Sequence, residues 1–81
     1  MITLYIAPNG DKWWEADYKF HRIGGPAVVT MDGGKRWYQH GLKHNDTGPA
    51  VVRRDGANRW YIKGVAYDEF EYMFLTKLVD T

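Results

Sequence analysis

The sequence contains no cysteine and no serine. Without Cys there is no disulfide and no thiolate zinc site, and the two absences together remove the Ser and Cys nucleophiles of covalent catalysis. A cysteine-free chain also fits a reducing compartment. No apolar run approaches the roughly 18 residues needed to span a bilayer. Residues Met1–Pro8 have no basic lead and no long apolar stretch, so no signal peptide is expected and the chain reads as cytoplasmic. Strong charge of one sign is missing too: the net charge is +1, below what a strongly polyanion-binding domain normally carries.

Aromatic residues and repetition are what the chain has in abundance. Four Trp, six Tyr and three Phe stand in 81 residues. Each large ring buries about 150–250 Å², so some rings form the core and others are expected at the surface. One domain, residues 1–81, is expected, with a thin core that hides roughly 60–65% of the unfolded surface. Gly25-Pro26-Ala27-Val28-Val29 returns as Gly48-Pro49-Ala50-Val51-Val52, Asp32-Gly33 as Asp55-Gly56, and Arg36-Trp37-Tyr38 as Arg59-Trp60-Tyr61, always 23 residues on. Asn9-Gly10 and Trp14 keep the same register in a divergent first copy. A fixed period of this size means stacked supersecondary units.

Each unit reads as strand, tight turn, strand. The turn glycines, Gly33 and Gly56 among them, supply the positive φ that a right-twisted hairpin requires. Pro26 and Pro49 are placed at the first residue of a strand, where a missing N–H does least harm. Gly41 and Gly64 close their units. The fold class is therefore mainly β (α+β): an antiparallel meander sheet of three 23-residue β-hairpin repeats with one C-terminal α-helix. The repeats cover about 2–22, 23–45 and 46–67. Six strands are expected, near 2–7, 12–17, 26–31, 35–40, 49–54 and 58–63, with hairpin turns of two to four residues. Trp14, Trp37 and Trp60 form a core ladder on one face, and Tyr38 and Tyr61 point to the other. After Gly64 the period changes. Asp68 is an N-cap with Glu71 as its capping-box partner, and Phe70, Met73, Phe74 and Leu78 make the docking stripe of a helix near 68–79. This helix caps the array, with Phe70 and Phe74 as structural residues.

The chemistry-bearing residues form no catalytic set. Thr30, Thr47 and Thr76 have no local base, and Asp32 and Asp55 are turn formers. Gly24-Gly25 and Gly33-Gly34 lack the Lys-Ser/Thr of a phosphate loop. His21 and His44 are repeat equivalents in the connectors, which predicts side chains bonded to loop backbone. His40 and His44 lie on strand end and loop, where they do not converge as ligands. No enzyme, cofactor or metal is expected. Residues 32–65 carry about +4 and residues 66–81 about −3, a basic sheet followed by an acidic tail. The uncovered sheet face, with Trp13, Arg36, Tyr38, Arg53, Arg54, Arg59, Tyr61 and Lys63, is the expected partner-binding surface, since Tyr, Trp and Arg dominate interface energetics. Self-association through that face, as a homodimer or a structural assembly, is one alternative. Single-stranded nucleic acid stacking on the rings is another. Membrane binding is not expected, because the helix is led by acids rather than Lys/Arg.

The string from Trp37 to Ala50, Trp-Tyr-x-x-Gly-x-x-His-x-x-x-Gly-Pro-Ala with Asp-Gly about five residues on, resembles a MORN-type repeat. It is most similar to the Gly-Pro-Ala variant of small bacteriophage and prophage proteins, and Tyr67-Asp68-Glu69-Phe70-Glu71 matches their acidic helix start. The resemblance covers about residues 8–72. It departs from the standard unit in two places. Trp14 is followed by Glu15-Ala16-Asp17-Tyr18 with no Gly, and His44 by Asn45-Asp46-Thr47-Gly48-Pro49 instead of Gly-x-Gly. It implies β-hairpin units that serve as a scaffold for protein binding. It further implies a phage-encoded protein of the host cytoplasm, acting in host–virus interaction as an inhibitor of host defence or of host transcription machinery.

Overall fold

The computed structural model describes residues 1–77. Its elements in chain order are β1 (Thr3–Ile6), β2 (Lys12–Ala16), β3 (Lys19–Phe20), β4 (Val28–Val29), β5 (Lys35–Arg36), β6 (Tyr38–Gln39), β7 (Leu42–Lys43), β8 (Val51–Val52), β9 (Asn58–Ile62), β10 (Val65–Tyr67) and α1 (Glu69–Lys77). Strands β1, β2, β4, β5, β8, β9 and β10 follow one another across a single antiparallel sheet. The first six of these are the six strands of the expected meander, in the expected order.

The strands outnumber that expectation because each unit folds back a second time. Asp17-Tyr18, His40-Gly41 and Lys63-Gly64 all hold positive φ at both positions, the geometry of a two-residue type I′ turn. These turns return β3 onto β2, β7 onto β6 and β10 onto β9. Gly41 and Gly64 thus stand inside their units as turn residues instead of closing them. The expected strand 35–40 is divided at Trp37 into β5 and β6. Tyr18 takes φ 64° where the other units have Gly, with its side chain fully exposed. Left-handed backbone costs an L-residue roughly 1–2 kcal/mol. Tyr18→Gly is expected to raise stability by up to about 1 kcal/mol, after allowing for the looser unfolded chain. A shift of the urea midpoint measures it.

The first turn of each unit is a three-residue loop. Thr30 donates its amide to the Gly34 carbonyl and Gly33 returns one to Thr30; Ala7–Asp11 and Arg53–Ala57 close in the same way. Gly10, Gly33 and Gly56 hold φ of 98, 98 and 88°. Asn9, Asp32 and Asp55 each accept an amide from two residues on, at 3.0, 3.1 and 3.0 Å. The connectors repeat as well. Pro26 and Pro49 lie two residues ahead of β4 and β8, not at their first residues. Their carbonyls accept bonds from the side chains of Arg22 and Asn45. His21 Nδ1 accepts the His40 amide and His44 Nδ1 the Lys63 amide, both at 2.9 Å. This is the loop-bonding role that their repetition predicts.

The described residues form a slab of 44 × 31 × 18 Å. Its hydrophobic core is small: Ala27, Val28, Ala50 and Tyr72, with no large side chain fully buried. Trp14, Trp37 and Trp60 are half-buried, so they flank the core and do not fill it. Nor do they stack as a ladder. Trp14 lies under the Arg22 guanidinium at 3.9 Å, and Trp60 packs beside Tyr72 with ring centroids 6.4 Å apart. A slab two side chains thick leaves an indole one open side.

Helix α1 begins as expected. Asp68 accepts the Glu71 amide at 2.7 Å, and Glu71 accepts the Asp68 amide at 3.2 Å, a complete capping box. The docking face is different. Phe70 and Phe74 are exposed, and Tyr72 is the buried residue, 4% accessible. The Tyr72 hydroxyl accepts the Gly48 amide at 3.0 Å and donates to the Asn45 carbonyl at 2.5 Å. Those connector groups need a polar partner, which a phenylalanine cannot supply. Leu78 lies outside the described residues.

Candidate binding face

The sheet register decides which side chains share a face. Trp13, Val28, Arg36, Val51 and Arg59 stand directly opposite one another across β2, β4, β5, β8 and β9. Opposed residues project to the same side. Tyr61 joins this row two residues after Arg59, and Tyr5 joins it opposite Trp13. Trp14 and Trp60, one residue away from members of the row, belong to the other face, against which α1 packs at β9. Two faces of this kind are what the Trp-Tyr dipeptides predict.

The arginine face carries an open concavity of about 800 Å³ across β5, β8 and β9. Six cations line it: Lys35, Arg36, Lys43, Arg53, Arg54 and Arg59; Tyr61 stands among them. Two carboxylates, Asp32 and Asp55, line it as well. Both are committed to turns. The Thr30 hydroxyl and the Gly34 amide hold the Asp32 carboxyl below the ordinary carboxylate range, with a smaller contribution from Arg54. Asp55 accepts the Ala57 amide and lies 3.9 Å from Arg53. These bonds leave both carboxylates charged, so the six cations exceed the acids by four and the concavity is net cationic, although the whole chain is nearly neutral. A cationic concavity concentrates anions and steers their approach.

Five of the eight residues expected at the partner surface line this concavity: Arg36, Arg53, Arg54, Arg59 and Tyr61. The other three do not. Trp13 is on the same face but at its other end, stacked on Tyr5 at 5.7 Å and donating from Nε1 to Glu15 at 2.9 Å. Tyr38 packs against Phe20 at 5.1 Å. Lys63 occupies a type I′ turn, its backbone tied to His44. Lys35 and Lys43 line the concavity and were not expected there. Lys43 arrives on β7, opposite Tyr38, and its Nζ sits 5.0 Å from the Tyr61 ring. Its placement depends on the second hairpin, for which Gly41 is the one signal in the sequence.

Among the described residues no helix is long and apolar enough to cross a membrane. Compared with protein-family models, with curated proteins and with solved structures, the chain matches none of them.

Proposed function

We propose that this protein is a non-enzymatic binding module whose arginine face takes an acidic surface of a protein partner. The cationic concavity around Arg36 and Arg59 carries this reading. Arg and Tyr on a rigid sheet are the residue types from which interface anchors are built, and a cationic patch selects an anionic partner by charge. The resemblance of the repeat to small phage proteins supports a more particular role: a phage-encoded inhibitor that occupies a host protein, in host defence or transcription, in the host cytoplasm.

A second reading, single-stranded nucleic acid, is favoured by the same cations. It is the weaker one, because such sites use a series of rings on which successive bases stack. Tyr61 is the one ring in this concavity, and Lys43 already engages it.

Arg36 and Arg59 are exposed, so Arg36→Glu combined with Arg59→Glu is expected to leave the fold intact. The same pair is expected to weaken partner binding at least about 30-fold, the effect of losing about 2 kcal/mol at a hot spot. Wild type and variant, immobilised side by side in host lysate and then titrated with the recovered protein, provide the measurement. Equal binding by both would reject the site. Titration of a labelled oligonucleotide at about 50 and about 200 mM salt tests the second reading, which requires a steep loss of affinity between them.

A further inference from the structure

We infer that β1 is a self-pairing edge, and that two copies of this chain join β1 to β1 in antiparallel fashion to make one continuous sheet. The period of 23 relates β1 to β4 and β8. Those two strands each use both sides, β4 pairing β2 and β5, and β8 pairing β5 and β9. β1 pairs β2 on one side, and among the described residues no strand pairs the other. The open side of β1 is thus the same edge that joins one unit to the next inside the chain.

Exposed edges are normally blunted by charge, proline or a bulge. Thr3–Ile6 has none of these. Ile2 beside it and Leu4 and Ile6 within it are 43, 45 and 62% accessible, and their alternate spacing sets them on one face. A two-fold axis perpendicular to the sheet keeps faces together. With Leu4 on that axis, Ile2 of one copy meets Ile6 of the other and Leu4 meets Leu4.

The other end of the array is built differently: the sheet finishes on β10, beside the helix. Residues 72–75 stand 23 after Pro49–Val52, where a fourth unit would set its first strand. The chain is helical there and packs on β9 and β10. A head-to-tail contact would not repeat the junction between units at that end, whereas the two-fold pair uses the same edge from both copies and closes. The edge is short, less than the roughly 800 Å² per partner of a standard interface, so the dimer is weak and concentration-dependent. The pairing also sets two cationic concavities on the same side of the joined sheet. Their β8 strands are nine strand spacings apart, roughly 40 Å.

Sedimentation of the full chain from about 10 µM to about 1 mM is expected to show a monomer–dimer equilibrium. Amide exchange within Thr3–Ile6 is expected to slow as concentration rises. Leu4→Lys places two like charges opposite each other at the axis and is expected to leave a folded monomer, its far-ultraviolet circular dichroism unchanged. An equimolar mixture of the Leu4→Lys and Leu4→Glu chains is expected to dimerise again. A wild-type chain that stays monomeric at about 1 mM overturns the inference. So does a dimer with no change of exchange in β1, as self-association through the arginine face would give.

Discussion

Tyr72→Ala is expected to unfold the protein at ordinary temperature. Truncating a buried aromatic costs roughly 3–5 kcal/mol, and a domain of this size with so small a core has about that much stability in total. Tyr72 is the largest side chain of the core. It holds α1 to the sheet beside Trp60, and its hydroxyl bridges the Gly48 amide and the Asn45 carbonyl. Tyr72→Phe keeps the ring and removes the bridge. It is expected to cost about 1–3 kcal/mol, the penalty for leaving the two connector groups unpaired. Urea unfolding of both variants, followed by tryptophan fluorescence, separates the two contributions.

The same hydroxyl predicts a response to alkali. Burial raises the Tyr72 pKa above its ordinary 10.0, the charge of Asp46 adds to the rise, and the bond from Gly48 opposes it. Above pH 10 the unfolded chain loses this proton before the folded chain does. The unfolded state then binds fewer protons, so stability falls as pH rises further. Below pH 10 the contribution is complete. The phenolate also has no proton to donate to Asn45. Wild-type melting temperature is expected to drop between about pH 9 and about pH 11 more steeply than that of Tyr72→Phe.

The second large effect is expected at the alanine of the Gly-Pro-Ala motif. Ala27 and Ala50 are both wholly inaccessible. Ala50 donates its amide to the Arg59 carbonyl and accepts the Trp37 amide, at 2.8 and 2.7 Å; Ala27 does the same with Arg36 and Trp14. Ala50→Leu forces extra methylene groups into a closed site and is expected to cost about 3 kcal/mol, the upper part of the range for overpacking. Relief by backbone shift would move Arg59, whose carbonyl receives the Ala50 amide. The substitution is therefore expected to impair partner binding even where stabilising osmolyte keeps the chain folded. Ala50→Gly, measured beside it, is expected to cost only about 1 kcal/mol.

Repetition made the scaffold readable. Residues 23 apart have the same backbone partners, so the order of the six main strands, the turn at each Asp-Gly and the role of His21 and His44 follow from the period. Arg36 and Arg59 share a face for that reason too, which is how part of the candidate site was visible. The second hairpin was hidden because its first example, Asp17-Tyr18, has no glycine and its returning strands are two or three residues long. Without it, Lys43 had no assigned place. Tyr72 was missed for a different cause. Spacing identifies which helix residues are apolar, whereas the sheet selected the one with a hydroxyl to give to Asn45. The three tryptophans read as core because large rings normally are. In a slab this thin the wholly inaccessible positions went to alanine.

Each unit carries its own turns, two of the three carry a histidine acceptor and two a buried alanine, and units meet through the same few amide bonds. The number of units is therefore a quantity that gene duplication can change without redesigning the rest. A further copy of residues 23–45, inserted before residue 46, would bring one more Arg36 into the row and lengthen the cationic surface by one step. Within such a chain the reach of the binding face is set by counting, while its affinity is set by what stands at the variable positions of each copy.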